Sequence, residues 1–138
     1  MTHHSIRRRA ILPALAALAL TLAAAPAASA DLDFSRGCTG RGPIVLDPFS
    51  HLRRAVYCPN FVAPVYSNGR TRIDTLRTTV SWFVCQARSS TPNPPFGAGR
   101  NHWWLWTAGD DYGRYGWFPA NAIKIGGQED PIPGVPTC

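Results

Sequence analysis

Two short aromatic segments on either side of a turn constrain the fold of this chain more than any other feature. The first runs from His102 to Thr107 and the second from Tyr115 to Phe118. The residues between them, 108–114, include two glycines and two adjacent aspartates, which favour tight turns because they tolerate left-handed backbone or bond to it locally. Strands bounded in this way are typical of a β-hairpin.

The first segment of this hairpin is apolar on both of its faces. Side chains alternate across a strand, which places on one face Trp103, Leu105 and Thr107, and on the other His102, Trp104 and Trp106. A small soluble domain has no need of tryptophan on its outer face. We therefore expect either that another segment packs there or that a ligand binds there.

The rest of the chain also predicts strands and not helices. Thr79–Gln86 is rich in β-branched and aromatic residues, and no segment keeps the 3.6-residue apolar period of a long helix. We predict an all-β fold. A chain of this length makes one domain with a modest core.

The first thirty residues have the pattern of a secretory signal peptide. Three arginines at 7–9 precede an alanine- and leucine-rich run, and the small residues Ala28 and Ala30 offer a cleavage site before Asp31. The apolar run is too short for a stable membrane anchor. We expect a secreted protein, extracellular or cell-wall associated, and the arginines leave open whether the general or the twin-arginine pathway exports it.

The mature chain is only mildly basic. Three of the fourteen Lys and Arg residues lie in the first thirty residues and none of the eight Asp and Glu residues does, so residues 31–138 carry a net charge of +3 instead of +6. The arginines are scattered and do not line one element, which argues against a nucleic-acid partner. This charge is compatible with attraction to an anionic cell wall.

Proline and glycine divide the mature chain into three parts. Residues 31–60 are predicted to be an irregular N-terminal extension with a short helical turn or a strand over 49–57, residues 61–125 the main folded unit, and residues 126–138 a Pro- and Gly-rich tail. Within the folded unit, 87–101 is predicted to be a loop, and its Pro92-Asn93-Pro94-Pro95 run favours a polyproline conformation. This loop is either a stiff surface loop or a segment that partly occupies the unit's own aromatic groove.

All four cysteines lie in the part predicted to be exported: Cys38, Cys58, Cys85 and Cys138. An even count in a secreted chain predicts two disulfides, and the residues alone leave all three connectivities open. A zinc site is the alternative, but no Cys-x-x-Cys or Cys-x-x-His spacing is present. We expect neither a metal nor a cofactor.

The sequence contains no recognisable catalytic motif. Glu129, the only glutamate, lies in the tail, while Asp110 and Asp111 lie in a turn where aspartate is favoured for local bonding. A Gly-x-Ser-x-Gly elbow, a His-Glu-x-x-His pair and a phosphate-binding glycine loop are all missing. We expect a protein that is not an enzyme.

The hairpin resembles the second half of a Src-homology-3 barrel, most closely that of secreted bacterial proteins. The resemblance is carried by Trp-Trp-Leu at 103–105, a glycine-bearing turn, and Gly116-Trp117-Phe118-Pro119-Ala120-Asn121 before further apolar residues. Residues 64–76 and 80–85 are compatible with the family's first strands. The resemblance implies a small Src-homology-3-like β-barrel of about five short strands, with the extension and the tail tied down by disulfides.

We expect Cys38 to pair with Cys58 and Cys85 to pair with Cys138. The first bond would close the N-terminal extension on itself. The second would tie the tail to a barrel strand, a placement that resembles secreted actinobacterial members of the family.

The family resemblance implies recognition of peptide, often the peptide portion of peptidoglycan, through an aromatic groove. The groove residues carried over by position are Trp103, Trp117, Pro119 and Asn121, with Tyr66 and Tyr112 as weaker candidates. Ala122 stands where the family has a tyrosine, which argues against a Pro-rich ligand and favours cell-wall peptide. We expect Trp106 and Phe118 in the core.

A second class of function stays open. The chain could instead be a secreted inhibitor or structural factor that binds another extracellular protein through a stiff loop. In either case we expect a monomer without a stable membrane anchor.

Overall fold

The computed structural model describes residues 31–68, 70–97 and 99–138, so the signal peptide predicted over 1–30 lies outside the described residues. Within these ranges the chain is all-β, as predicted, and contains no α-helix. One short 3₁₀ turn, Ala120–Ala122, follows the last strand. No helix in the described residues is long and apolar enough to cross a membrane.

Nine short strands run through these ranges: β1 (Ile44–Leu46), β2 (Leu52–Arg54), β3 (Val56–Pro59), β4 (Ala63–Tyr66), β5 (Arg72–Leu76), β6 (Val80–Phe83), β7 (Gln86–Arg88), β8 (Trp103–Ala108) and β9 (Tyr115–Pro119). The largest sheet has the order β5-β4-β9-β8-β7, while β3 pairs with β6 and β1 pairs with β2. Every pairing between these strands is antiparallel.

This architecture corrects the sequence prediction in two respects. The large sheet has the five strands expected of the barrel, but the described strands form no closed barrel, and two further sheets have two strands each. The segment 31–60, expected to be irregular apart from a short helical turn or a strand over 49–57, contains β1, β2 and β3. Its glycines and prolines separate short strands instead of excluding them, and β6, the partner of β3, lies too far along the chain for a local pattern to indicate it.

The main core lies on one face of the five-stranded sheet, which we call the inner face. Leu105 of β8 lies opposite Phe118 of β9 in the register, and both side chains are fully buried. Phe83 of β6 packs against Phe118 with their ring centroids 5.4 Å apart. Phe118 therefore lies in the core, as expected.

The strand predicted over Thr79–Gln86 is divided between two sheets. β6 pairs with β3, and β7 begins at Gln86 and pairs with β8. Between them, the Val84 N–H donates to the Trp106 carbonyl and the Trp106 N–H donates to the Cys85 carbonyl, each at 2.9 Å. The segment therefore passes from the smaller sheet to the edge of the larger one.

Both expected disulfides are present, because Cys38 is bonded to Cys58 and Cys85 to Cys138. No cysteine in the described part of the chain is free. Two disulfides fit an oxidising environment.

The C-terminal tail is part of the packed domain. The side-chain amide nitrogen of Gln86 donates to the Ile132 carbonyl at 2.9 Å and to the Val135 carbonyl at 2.7 Å, and its amide oxygen accepts the Ile132 N–H at 2.7 Å. Ile132 and Val135 belong to the main core. A buried amide with all three of these bonds fixes the tail against β7.

A buried carboxylate from β5 holds the turn between β8 and β9. Asp74 is 3% exposed, and it accepts backbone N–H groups from Thr75, Asp111, Tyr112 and Arg114 at 2.7 to 3.3 Å. Burial alone would raise the pKa of Asp74, but these N–H donors outweigh burial and lower the pKa. Gly109 fits beside the carboxylate only because it lacks a side chain, since a Cβ there would lie 2.2 Å from the Asp74 Cγ.

Candidate functional site

Five aromatic side chains lie on the outer face of the large sheet. Trp106 of β8 lies opposite Trp117 of β9 in the register, and Trp117 also lies opposite Tyr66 of β4. Directly opposite residues of antiparallel strands point to the same face, and strand alternation adds Trp104 and Tyr115 to this face. We call Tyr66, Trp104, Trp117, Trp106 and Tyr115 the aromatic row.

Rings within the aromatic row contact one another. The ring centroids are 5.7 Å apart for Tyr66 and Trp104, 5.1 Å for Trp106 and Trp117, and 6.4 Å for Trp106 and Tyr115. Such spacings are typical of favourable aromatic pairs. Trp104 is buried, Trp106 and Trp117 are half-buried, and Tyr115 is exposed, so the row presents ring surface to solvent.

A cavity of about 220 Å³ opens at one end of the aromatic row. We call it the row cavity, and it is lined by Asn68, Ala87, Arg88, Ser89, Trp104 and Trp117. Two tryptophans, two small polar residues, an alanine and an arginine thus line a single opening. No acidic residue lines this cavity.

The opposite end of the row faces an apolar cleft of about 480 Å³. The β1–β2 hairpin forms one wall, and Trp106 and Tyr115 form the other. Leu46 and Leu52 lie opposite each other in the hairpin and are 54% and 72% exposed. The Trp106 indole N–H donates to the Leu46 carbonyl at 3.2 Å, which joins the hairpin to the row.

The one acidic residue of this cleft is already paired. The Asp47 side chain is fully buried and bonds to the Arg53 Nε at 2.8 Å. Burial would raise the pKa of Asp47, but the backbone N–H groups of His51 and Phe49 and the His51 side chain outweigh burial and lower the pKa. The cleft therefore offers a ligand mainly aliphatic and aromatic surface.

The structure does not bring Trp103 and Trp117 together. Trp103 lies opposite Arg88 in the β7–β8 register and packs against the main core, whereas Trp117 lies on the outer face. The β8 tryptophan that shares the row cavity with Trp117 is Trp104 and not Trp103. Trp106, expected in the core, belongs to the aromatic row instead.

Asn121 holds the proline-rich loop against the domain. Its side-chain amide nitrogen donates to the Pro94 carbonyl at 2.8 Å, and its backbone N–H donates to the Asn93 Oδ1 at 3.1 Å. The Trp104 indole N–H donates to the Thr91 carbonyl at 3.0 Å. The hydrogen-bond donors of Asn121 and Trp104 are therefore already used by this loop.

The other predicted site residues lie in different surroundings. Tyr66 belongs to the aromatic row, and Pro119 is buried opposite Trp104 in the register. Tyr112 is exposed in the β8–β9 turn, where the Arg114 guanidinium lies 5.2 Å from its ring centroid. Tyr112 makes no ring contact with the aromatic row among the described residues.

The site residues predicted from the sequence do not include Trp104, Tyr115 or the β1–β2 hairpin. Strand alternation had already placed Trp104 and Trp106 on one face, and that signal was sufficient to pair them. Trp117 and Tyr115 join the same face through the register between β8 and β9. That register depends on contacts between strands, so the alternation of side chains within one strand does not predict it.

The aromatic row, the row cavity and the apolar cleft together offer binding surface. In the ranges that the structure describes, no three His, Cys, Asp or Glu side chains are placed to hold a metal ion. Burial raises the pKa of the Tyr66 phenol, and the charge of Arg72 opposes that rise.

The chain matches no family model, no curated protein and no solved structure at a significant level.

Proposed function

We propose that the protein is a secreted, non-catalytic binding module of the Src-homology-3-like type that recognises cell-wall peptide. The observation that carries the proposal is the aromatic row, which joins the row cavity to the apolar cleft on one face of the sheet. Half-buried tryptophans that pack edge to face, as Trp106 and Trp117 do, are rigid anchors for an extended ligand. The disulfides and the signal-peptide pattern support an extracellular location.

The proposal is tested by binding of the purified protein to isolated cell wall. Trp117→Ala removes a ring from the row cavity, and we expect the dissociation constant to rise about 30-fold, because central aromatic anchors often contribute about 2 kcal/mol. Trp103→Ala is the matched control, since it removes the same side chain from the opposite face. It should lower the melting temperature while leaving the affinity of the folded protein near that of the parent.

Competition identifies the wall component that is bound. Soluble stem peptides should displace the protein from the wall if peptide is the ligand, whereas glycan fragments without peptide should not. Retention of full affinity by Trp117→Ala would exclude the aromatic row as the binding surface.

The exposed β1–β2 hairpin favours one alternative, a secreted inhibitor or structural factor that binds another extracellular protein. Four of its apolar side chains, Ile44, Leu46, Phe49 and Leu52, are exposed, and clustered apolar surface is typical of protein interfaces. Leu52→Asp would then abolish complex formation with that protein while leaving wall binding unchanged. Loss of wall binding in Leu52→Asp, with no effect on complex formation, would instead support the binding module.

A further inference from the structure

The β1–β2 hairpin leaves one edge of β1 without a neighbouring strand. β1 and β2 form a two-stranded sheet of their own. On either side of β1, the Pro43 carbonyl accepts a backbone N–H from the other arm of the hairpin at 2.9 Å, and the Asp47 N–H donates to that arm at 2.8 Å. Bonded and non-bonded positions alternate along an antiparallel ladder. The backbone groups of Ile44 and Leu46 therefore point away from β2.

Three polar groups on this edge, which we call the β1 edge, make no hydrogen bond within residues 31–68, 70–97 and 99–138. They are the Ile44 N–H, the Ile44 carbonyl and the Leu46 N–H. The Leu46 carbonyl is already used, because it accepts the Trp106 indole N–H. Ile44 and Leu46 are both more than half exposed. An exposed edge of this kind is a template for pairing with another strand.

The apolar cleft lies along the β1 edge. Four consecutive residues, 44–47, line it, and Trp106 and Tyr115 form its far wall. Because alternate residues of a strand point to opposite faces, an unbroken run of lining residues places the cleft beside the strand and not over one face. Its volume of about 480 Å³ is in the range of pockets that hold a ligand.

The charged group beside the β1 edge is a guanidinium. Arg54 is exposed and lies opposite Ile44 in the register, so the two side chains share a face. One Arg54 nitrogen donates to the Gly42 carbonyl at 3.2 Å, and Arg54 belongs to none of the ion pairs among the described residues. Asp47, the acidic residue of the cleft, is held by Arg53. Charge complementarity therefore favours a ligand with a carboxylate next to its apolar segment.

We propose that the β1 edge takes an extended segment of a partner protein as an added strand, with an apolar side chain in the cleft and a carboxylate beside Arg54. In this mode main-chain hydrogen bonds give affinity, and pockets for alternate side chains give specificity. An antiparallel segment would satisfy all three free groups of Ile44 and Leu46. The inference goes beyond the proposed function, because its ligand is a protein strand and it stands whether or not the aromatic row binds cell wall.

The probe is a short synthetic peptide of alternating valine and threonine with one aspartate at its start and both ends blocked. It is titrated into the purified disulfide-bonded protein by calorimetry. Two further versions carry N-methyl groups on every second backbone nitrogen, one version for each alternation. A strand added to an edge turns only one alternation toward its neighbour. One version should therefore bind at least about tenfold more weakly, while the other stays within about twofold of the unmethylated peptide.

Ile44→Pro tests the β1 edge from the side of the protein. Proline is tolerated in an edge strand where the missing N–H faces solvent, so the melting temperature should stay near that of the parent while the peptide binds at least about tenfold more weakly. Ile44→Val is the matched control, because it keeps the N–H and the branched side chain, and it should bind within about twofold of the parent. Replacing the aspartate of the peptide by asparagine should weaken binding to the parent about threefold and leave binding to Arg54→Gln unchanged.

Equal losses from the two N-methylated peptides, or no binding at millimolar peptide, would overturn strand addition, and this comparison does not depend on how well Ile44→Pro folds. A loss in Ile44→Val as large as that in Ile44→Pro would attribute binding to the side chain and overturn it as well. A dimer of the parent that Ile44→Pro dissociates would assign the edge to a second copy of this chain instead. Trp117→Ala should keep its affinity for the peptide, so the proposed function and this inference fail separately.

Discussion

The Asp74 carboxylate is the polar group on which the β8–β9 turn most depends. Asp74→Asn keeps the shape of the side chain but replaces one acceptor oxygen by a donor that faces backbone N–H groups. We expect the free energy of unfolding to fall by about 1–3 kcal/mol, the usual cost of an unsatisfied buried polar group. Urea denaturation measures this loss.

The matched control for this prediction is Asp111→Asn in the same turn. The Asp111 side chain pairs with Arg77 at the surface, and exposed ion pairs contribute little to stability. Equal losses for the two variants would contradict a special role for Asp74.

The lowered pKa of Asp74 also predicts a pH dependence. A carboxyl group with a lower pKa in the folded state stabilises the protein above its unfolded pKa, and that stability is lost as the pH falls through the folded pKa. The unfolded value is about 3.9. The stability difference between the parent and Asp74→Asn should therefore be constant above about pH 5 and shrink below about pH 4.

Thermal unfolding of both proteins across this range measures the difference. Asp47 has a lowered pKa too, but it is present in both proteins and cancels from the comparison. A difference that widens as the pH falls would show that the charge of Asp74 does not stabilise the turn.

The contact between β4 and β9 depends on the small size of Gly116. A Cβ at this position would lie 2.5 Å from the Tyr66 carbonyl oxygen and 2.8 Å from the Val65 Cγ1. Because one atom is backbone and the other lies in the core, neither moves easily. Gly116→Ala should lower the free energy of unfolding by about 1–3 kcal/mol and weaken wall binding by separating Tyr66 from Trp117.

Gly99→Ala is the control for the glycine prediction. A Cβ there would make an ordinary contact, 3.6 Å from the Asn121 Cβ, so its stability should stay close to that of the parent. Chemical denaturation and the wall-binding isotherm of both variants test the prediction. A stable Gly116→Ala protein with parental binding would show that β4 and β9 adjust without loss of the site.

Strand alternation correctly predicted which β8 side chains share a face. It did not predict which β9 side chains lie beside them. Leu105 and Thr107 are buried while Trp106 is half-exposed, as a period of two requires. The assignment of Trp103 and Trp117 to one groove needed the register between β8 and β9, which the whole core determines. The pairing of β3 with β6 is non-local for the same reason.

Across the whole domain, the sequence predicted the all-β class and the two disulfides better than it predicted the contacts between segments that are distant in the chain. The cysteine count limited the disulfides to three connectivities, and family resemblance supported the placement of the bond from Cys85 to Cys138 that the structure contains. The tail was expected only to be tied down, whereas Ile132 and Val135 enter the main core. No local pattern indicates that a glutamine, Gln86, binds this tail from 46 and 49 residues away.

The two disulfides should contribute unequally to stability because they close loops of different length. Cys38 and Cys58 are 20 residues apart, and Cys85 and Cys138 are 53 apart. A cross-link removes conformations from the unfolded chain, and the longer loop should give about 1 kcal/mol more stabilisation. Cys85→Ala with Cys138→Ala should therefore lose more free energy of unfolding than Cys38→Ala with Cys58→Ala.

Guanidinium denaturation of the two double variants compares these losses directly, since each variant replaces two cysteines by two alanines. Cys38 and Cys58 both lie in the main core, whereas Cys138 is only partly buried. Packing therefore opposes loop length in this comparison. A larger loss from the shorter loop would mean that the core contacts of Cys38 and Cys58, and not the entropy of the unfolded chain, determine what the bridges contribute.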